Sequence, residues 1–266
     1  MNTTELIAEY REFSPRINRI GARDFLLFVE DLSAVFDGFK AVDIGAWGVK
    51  RNELRVVIGP NGAGKTTLCD LVSGKTRPTT GKVYFEGDDI TNELEADIAL
   101  RGIGRKFQTP RVYDSLTTFE NMELALPGSR KVRRFFGRSA SAGENENILK
   151  ILERVRLKDD QHTEAKHLSH GQRQWLAISM LILSSPKLLL VDEPAAGLTD
   201  LETELTAELL LELKDEHTIL VIEHDMDFVR QLNSKVTVLN EGRILAEGEM
   251  DELTANEEVI EAYLGR

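Results

Sequence analysis

The eight residues Gly59 to Thr66, GPNGAGKT, follow the apolar run LRVVI and open a segment with helical spacing. In that setting a glycine-rich turn becomes an anion site. Gly62 and Gly64 let the backbone curl so that successive N–H groups point at one phosphate, and the helix N-terminus adds its positive end. Lys65 then neutralises the outer phosphates, and the Thr66 hydroxyl is placed to ligate Mg²⁺. A second motif, LLLVDEP at 188 to 194, reads as a buried strand ending in two acids. At the carboxyl end of a parallel strand, Asp192 would sit beside the phosphate loop and hold the metal, mostly through water. Glu193 would orient or deprotonate an attacking water. The two motifs together predict hydrolysis of a nucleotide and not its storage.

Three further elements lie at informative places. LSHGQ, Leu168 to Gln172, stands immediately before the helical segment RQWLAISML, so Ser169 and the Gly171 amide would present another anion site at a helix start. Gln108 ends the strand pattern GIGRKF, and His224 follows the strand pattern TILVIE. Each alone is ordinary: an N-cap serine, or a satisfied polar group at a strand end. In the order loop, Gln, LSHGQ, Asp-Glu, His, the five are highly specific.

Short apolar runs between turn signals supply the elements that must position these residues. They are FLLFVE at 25, LRVVIG at 54, KVYFEG at 82, GIGRKF at 102, KLLLVD at 187, TILVIE at 218, KVTVLN at 235 and RILAEG at 243. Helical spacing lies between them at 65–73, closed by Gly74, and at 201–213, where Leu201, Leu205, Leu209 and Leu213 repeat every four residues. The alternation predicts a mostly parallel sheet with helices on both faces. From Thr109 to about Ile182 only helical spacing is found, at 119–126 and 148–157, which predicts a helical lobe inserted into the α/β core. Within it Arg130, Lys131, Arg133, Arg134 and Arg138, with Phe135 and Phe136, precede SASAGENEN. This run reads as a solvated helix end and loose loop, with contact to anionic lipid headgroups as the sharper alternative.

The 266 residues suit one large domain or two packed lobes, and 41% hydrophobic with 29% charged residues excludes wholesale disorder and fibrous repeats. A net charge of -12 argues against nucleic acid as a partner, so any bound anion needs a local device. Cys69 is the single cysteine and has no internal disulfide partner. The best apolar stretch, 175–191, is broken by Ser184, Ser185, Pro186 and Lys187, and the opening MNTTELIAEYREF carries charges where a secretory signal needs none. The expected compartment is the cytoplasm.

The five elements in this order resemble those of an ATP-binding cassette ATPase, over about residue 24 to the end. The resemblance implies a P-loop NTPase (RecA-like) core with a mostly parallel sheet, an antiparallel β region and an inserted helical subdomain. It divides the chain into an N-terminal extension at 1–24 and a cassette at 25–266, with 25–108 and 183–266 as core and 109–182 as helical subdomain. It also implies a head-to-tail dimer with two ATP molecules, each held between the phosphate loop of one subunit and the LSHGQ segment of the other. Phe36 in VFDGFKAV corresponds to the aromatic that stacks on adenine. Gly59, Pro60, Asn61, Gly62, Ala63, Gly64, Lys65, Thr66 and Thr67 make up the nucleotide-binding set of one subunit, and Ser169, Gly171 and Gln172 act across the dimer. Gln108 corresponds to a switch glutamine contacting Mg²⁺ and water, beside Thr66 and Asp192 as metal ligands. His224 corresponds to the residue holding the γ-phosphate and water, with Glu193 as base.

Two positions depart from the family's commonest pattern: His170 replaces a glycine, and Thr199 stands where an aspartate is frequent, with Asp200 next to it as a substitute. The strings GKTRP, GIGRKFQTP, TTFENMELAL, LSHGQRQWL, EPAAGLTDLETE, EHDMDFVRQL, KVTVLNEGRILAEG and AYLGR look most like the D-type ATPase subunit of bacterial urea importers, within the branched-chain amino acid and amide class. Residues 1–23 and 130–147 contribute nothing to that match. Implied partners are a second cassette subunit, identical or different, two transmembrane permease subunits and, indirectly, a substrate-binding protein. A permease helix would dock in the groove of Gln108, Thr109, Pro110, Val112 and Tyr113, at the cytoplasmic face of the inner membrane. The alternatives are a branched-chain amino acid importer, a single-cassette lipid or lipopolysaccharide exporter, and a soluble non-transport cassette protein.

Overall fold

The computed structural model describes residues 3–14, 24–106, 110–126 and 141–264. Gln108 and Thr109, the basic run, and Ser139 and Ala140 at the start of the SASAGENEN stretch lie outside them. Strands β1 (Phe25–Phe36) and β2 (Phe39–Lys50) form a long antiparallel hairpin. Its turn, Asp37-Gly38, has positive φ at both residues, the geometry that continues the strands' twist. The periodicity reading missed β2, because Gly45 and Gly48 interrupt its apolar pattern. The structure gives the reason for Gly48: a Cβ there would come within 2.6 Å of the Phe25 ring.

β4 (Thr80–Phe85) pairs with the other edge of β1, and β5 (Asp88–Asp89) completes an antiparallel sheet of order β2-β1-β4-β5. The second sheet has the order β10-β9-β3-β8-β7-β6. In it β3 (Leu54–Ile58), β6 (Ile103–Lys106), β7 (Leu188–Asp192), β8 (Thr218–Ile222) and β9 (Lys235–Asn240) run parallel, and β10 (Arg243–Gly248) returns antiparallel to β9. β3, β7 and β8 are buried throughout, as a parallel strand covered on both faces must be.

Alternate side chains of these strands enter two cores. Leu54, Val56 and Ile58 of β3 face one, with Leu189, Val191, Ile219 and Val221. That core holds α4 (Thr118–Ala125), α5 (Ala142–Arg154), α6 (His170–Ile182), α7 (Asp200–Leu213) and α8 (Met226–Leu232), with α9 (Met250–Thr254) and α10 (Glu257–Leu264) at its rim. Val57, Leu188, Leu190, Leu220 and Ile222 face the other, which holds α2 (Lys65–Val72), α3 (Glu95–Arg101) and the antiparallel sheet. The α/β core with its antiparallel region and the helices between β6 and β7 are the expected architecture. Among the described residues no helix is long and apolar enough to cross a membrane.

Residues 3–12, read from sequence as part of an extension, form α1 (Thr3–Glu12) and join the second core through Leu6 and Tyr10. Tyr10 packs on Phe25 and Phe28, and its hydroxyl donates to Glu247 Oε2 at 2.8 Å. Only two large apolar residues of the helix are deeply buried, which is why its period is faint in the sequence. Glu247 is the hub of a buried polar cluster. Its Oε1 accepts from Arg55 Nη1 at 2.5 Å, Trp47 Nε1 at 2.6 Å and Thr237 Oγ1 at 2.7 Å, and Lys235 Nζ stands 3.0 Å from Oε2.

Removing one member of a buried ion pair leaves an uncompensated charge. Glu247→Ala is therefore expected to lower the unfolding free energy by about 3–5 kcal/mol. Tyr10→Phe, which deletes one donor, should cost about 1 kcal/mol. Urea unfolding midpoints check both, and equal effects would show that the Arg55 pairing is not what makes the cluster matter.

Candidate functional site

The carboxyl ends of β3, β7 and β8 lie side by side, with Val57 and Asp192 both opposite Ile222 in the register, so whatever follows these strands shares one edge. After β3 comes the glycine-rich loop. A Cβ on Gly59 would collide with the Leu239 carbonyl, and one on Gly64 with the Ala41 carbonyl; Gly64 also has φ of 100°, in the left-handed region. The loop is braced from behind, since the Gly242 N–H donates to the Ala63 carbonyl at 2.9 Å. Lys65 is buried, and its ammonium donates to the carbonyls of Gly59 at 2.7 Å and Pro60 at 3.1 Å. The cation thus curls over the loop that α2 presents. Burial lowers its pKa from the ordinary lysine value, opposed by Glu193, Asp192 and Glu223.

After β7 come the two acids. Asp192 is 6% exposed, and burial raises its pKa against the opposing pull of Arg105, whose Nη2 is 3.8 Å from Oδ2. Arg105 also pairs with Asp70 at 2.5 Å and donates to Ser73 Oγ at 3.0 Å. Lys106 donates to the Asp192 carbonyl at 3.3 Å, and burial brings its pKa down to about 8. Glu193 adopts φ of 45°, a left-handed conformation that a non-glycine residue holds only where its surroundings enforce it. Its N–H donates to the Ile222 carbonyl of β8 at 2.9 Å.

After β8 stands His224, exposed, with Nδ1 3.6 Å from Glu193 Oε1 and 3.8 Å from Glu223 Oε2. Glu223 is fully buried. Its Oε1 accepts from the Ala195 N–H at 2.9 Å, and Oε2 from the N–H groups of His224 at 2.9 Å and Asp225 at 3.2 Å. This carboxylate fixes the turn carrying His224 against the turn carrying Glu193. The sequence reading passed over it, along with Lys106; the available signal was an ionisable residue inside each strand pattern, one residue before His224 and two before Gln108.

The buried carboxylate of Asp192 and the exposed hydroxyl residue Thr66 are the side chains on this edge that could donate to a metal, and no group of three His, Cys, Asp or Glu side chains that could hold one is found among the described residues. That donor set fits Mg²⁺, which keeps several waters and draws other ligands from substrate phosphates. Thr67 follows Thr66 on α2, and Asn61 is exposed in the loop with Pro60 beside it. Phe36 is 47% exposed at the tip of the β1–β2 hairpin, an unburied ring available for stacking. Val112 is half-buried and Tyr113 is 57% exposed.

A second cluster stands at the start of α6. Ser169 is the N-cap: its Oγ accepts from the Gln172 N–H at 3.1 Å, and the Gln172 side chain accepts from the Ser169 N–H at 2.9 Å. Gln172 Nε2 donates to Asp160 Oδ2 at 2.8 Å. The His170 ring Nε2 lies 3.1 Å from the Ala196 carbonyl, so it reaches the loop after β7. Thr199 caps α7 in the same way, receiving the Glu202 N–H at 3.3 Å while Glu202 accepts the Thr199 N–H at 3.0 Å. Threonine thus does the helix-capping work that an aspartate at this position would do.

A family model described as ABC transporter matches residues 43–196, and one described as branched-chain amino acid ATP-binding cassette transporter matches residues 243–266. The chain is 37% identical over 245 residues to the probable branched-chain amino acid transport ATP-binding protein LivG of Archaeoglobus fulgidus, with 90% of this chain and 95% of that protein covered. It is similar to the solved structure of a nucleotide-free ATP-binding cassette from an ABC transporter, at 32% identity and a TM-score of 0.80, covering 91% of this chain and 100% of that one. It is also similar to a dimeric cassette in a post-hydrolysis state bound to ADP and Pi, at 25% identity and a TM-score of 0.71, covering 84% and 98%.

Lys65→Ala is expected to abolish ATP binding, whereas Glu193→Gln should keep binding and lose on the order of 10² to 10⁴ in hydrolysis rate. Nucleotide titration and phosphate release measure the two, and a Glu193→Gln protein of near-normal ATPase activity would refute the role of this carboxylate. At the α6 start, His170→Gly should be tolerated, since it keeps the cap and gives up only the ring's contacts with the Ala196 carbonyl and the Gln174 side chain. Ser169→Arg should not be, because it removes the cap and adds a long charge. Loss of turnover in His170→Gly with ATP binding intact would show that the imidazole does more than reach Ala196 and Gln174.

Proposed function

The chain belongs to the ABC transporter family, and we propose that as an ATP-hydrolysing subunit of an importer it drives uptake of branched-chain amino acids or a kindred small polar solute. One observation carries the hydrolytic reading: the lysine of the glycine loop, the Asp192-Glu193 pair and His224 meet at the ends of three adjacent parallel strands. Backbone N–H groups of the 59–66 loop, Pro60 excepted, and Lys65 bind the phosphates, and Phe36 stacks on the base. Thr66 and Asp192, with Gln108, would hold Mg²⁺, which spreads the charge of the outer phosphates when bound. Glu193 takes the proton of the attacking water, and His224 holds that water and the γ-phosphate in line. Glu223 keeps Glu193 and His224 aligned through the N–H groups of Ala195, His224 and Asp225.

Ser169, Gly171 and Gln172 complete the site on a second subunit, in a head-to-tail dimer like those of other cassettes. ATP closes such a dimer only through contacts that exist in the closed form, and the α6 start provides them. Two permease subunits receive the motion through the groove at Pro110, Val112 and Tyr113, and a substrate-binding protein delivers cargo from the far side. The subunit works peripherally at the cytoplasmic face of the membrane.

The branched-chain amino acid reading is supported by the names of the relatives and by the match of the C-terminal 243–266 segment. Urea or a short-chain amide is the second reading, resting on strings such as LSHGQRQWL and EPAAGLTDLETE. The cargo never touches this subunit, so uptake decides. Deletion of the gene is expected to abolish low-concentration uptake of labelled leucine while leaving urea uptake intact. Loss of urea uptake alone moves the assignment to urea, and loss of neither returns the exporter and soluble cassette readings.

A further inference from the structure

The half-buried carboxylate of Glu202 lies between the starts of α6 and α7. Its Oε2 accepts the Thr199 N–H at 3.0 Å and the Thr199 hydroxyl at 3.1 Å, closing the cap of α7. Its Oε1 accepts the Ser169 hydroxyl at 3.2 Å, at the cap of α6. It rests on Gly171, where any Cβ would collide with it, so the absence of a side chain at 171 is what lets the carboxylate reach Ser169. One turn further in, Trp175 Nε1 donates to Thr206 Oγ1 at 2.9 Å, and that hydroxyl donates to the Glu202 carbonyl at 2.7 Å. The two helix starts are therefore joined at two levels. The bonds from Thr199, foremost the backbone N–H, hold the Glu202 pKa below the usual glutamate value, so the group is an anion at neutral pH.

A serine hydroxyl has one proton to donate. Ser169 Oγ already accepts from the Gln172 N–H, and its proton goes to Glu202. A γ-phosphate brought to Ser169 by the opposing subunit needs the same proton, and it meets a carboxylate next to it. From this competition we propose that Glu202 is a positioning residue for the signature serine: it retains the Ser169 hydroxyl in the open subunit and yields it when ATP closes the dimer. The proposal rests on the sandwich-dimer reading above and adds a threshold to it. The closed state forms only when the phosphate outcompetes a fixed internal anion.

Glu202→Gln tests this without removing the cap. Its amide oxygen must face the Thr199 N–H, which turns the NH₂ toward Ser169 Oγ as a donor and frees the serine proton. In the Glu193→Gln background, where hydrolysis no longer reopens the dimer, light scattering gives the ATP concentration for half-maximal dimerisation. Glu202→Gln is expected to lower it about tenfold, the scale of one charge-assisted hydrogen bond. Glu202→Ala, which removes the acceptor altogether, should shift it the same way. Adding Ser169→Ala should erase the gain. An unchanged or higher ATP requirement in both Glu202 variants overturns the proposal, as does a gain that survives Ser169→Ala. If Glu193→Gln alone fails to dimerise with ATP, the sandwich reading itself falls and the proposal with it, a result distinguishable from the others.

Discussion

Four carboxylates, those of Asp70, Asp192, Glu193 and Glu223, face three cations, Lys65, Arg105 and Lys106, at one edge of the parallel sheet. Everything else about the site depends on keeping that cluster together. Like charges this close repel strongly in a partly dry environment, and desolvation adds to the cost of each. The cations are accordingly not free to leave. Lys65 is tied to loop carbonyls, Lys106 to the Asp192 carbonyl, and Arg105 to Asp70 and Ser73. The cluster has one more acid than cations, so the device for a polyanion is more local still: the backbone N–H groups of the glycine loop, the start of α2 and Lys65, set against a formal charge of -12 spread over the whole chain.

The sheet is the device that enforces this arrangement. Its parallel strands are buried on both faces, so their register is fixed by two cores at once, and the strand ends come to a common edge. The residues just beyond those ends inherit that precision. Glu193 is held in an uncommon backbone conformation by a hydrogen bond to β8, and the Glu223 carboxylate ties the next turn to the same place. Strain of this kind persists only where the surroundings are rigid.

Much of this was legible in the sequence because the chemistry and the fold share a grammar. A glycine loop needs a strand before it and a helix after it, and an acid at the end of an apolar run has few reasons to be there. What was not legible follows from tertiary contacts. β2 escaped the period because Gly48 makes room for an aromatic ring from β1, and α1 shows only a faint period because it is anchored mainly by Leu6, Tyr10 and a polar bond to Glu247. Glu223 escaped because an acid closing the TILVIE run reads as an ordinary strand end, and the three backbone N–H groups that satisfy it come together only in the fold. Thr199 was readable as a departure from the aspartate pattern, but only the cap geometry shows that threonine fills the structural half of that role.

The segment from Glu193 to Glu202 links the two parts of the machinery within one subunit. At its start are the proposed base and the turn pinned to Glu223. In its middle the Ala196 carbonyl meets the His170 ring, and at its end Thr199 and Glu202 bind the Ser169 cap. Continuity of this kind does not by itself carry a signal, because coupling requires an element with two arrangements whose balance both sites bias. Most of the bonds here have no alternative partner, since the N–H groups of Ala195 and Thr199 point at buried or half-buried carboxylates in the same subunit. The Ser169 hydroxyl differs. It is exposed, it has a single proton, and it faces an internal anion on one side and the open face of the α6 start on the other. In a segment otherwise held by bonds of fixed partnership, that proton is the place where a second arrangement is chemically available, and so where, in the proposed sandwich dimer, nucleotide on one subunit would be felt by the proposed base of the other.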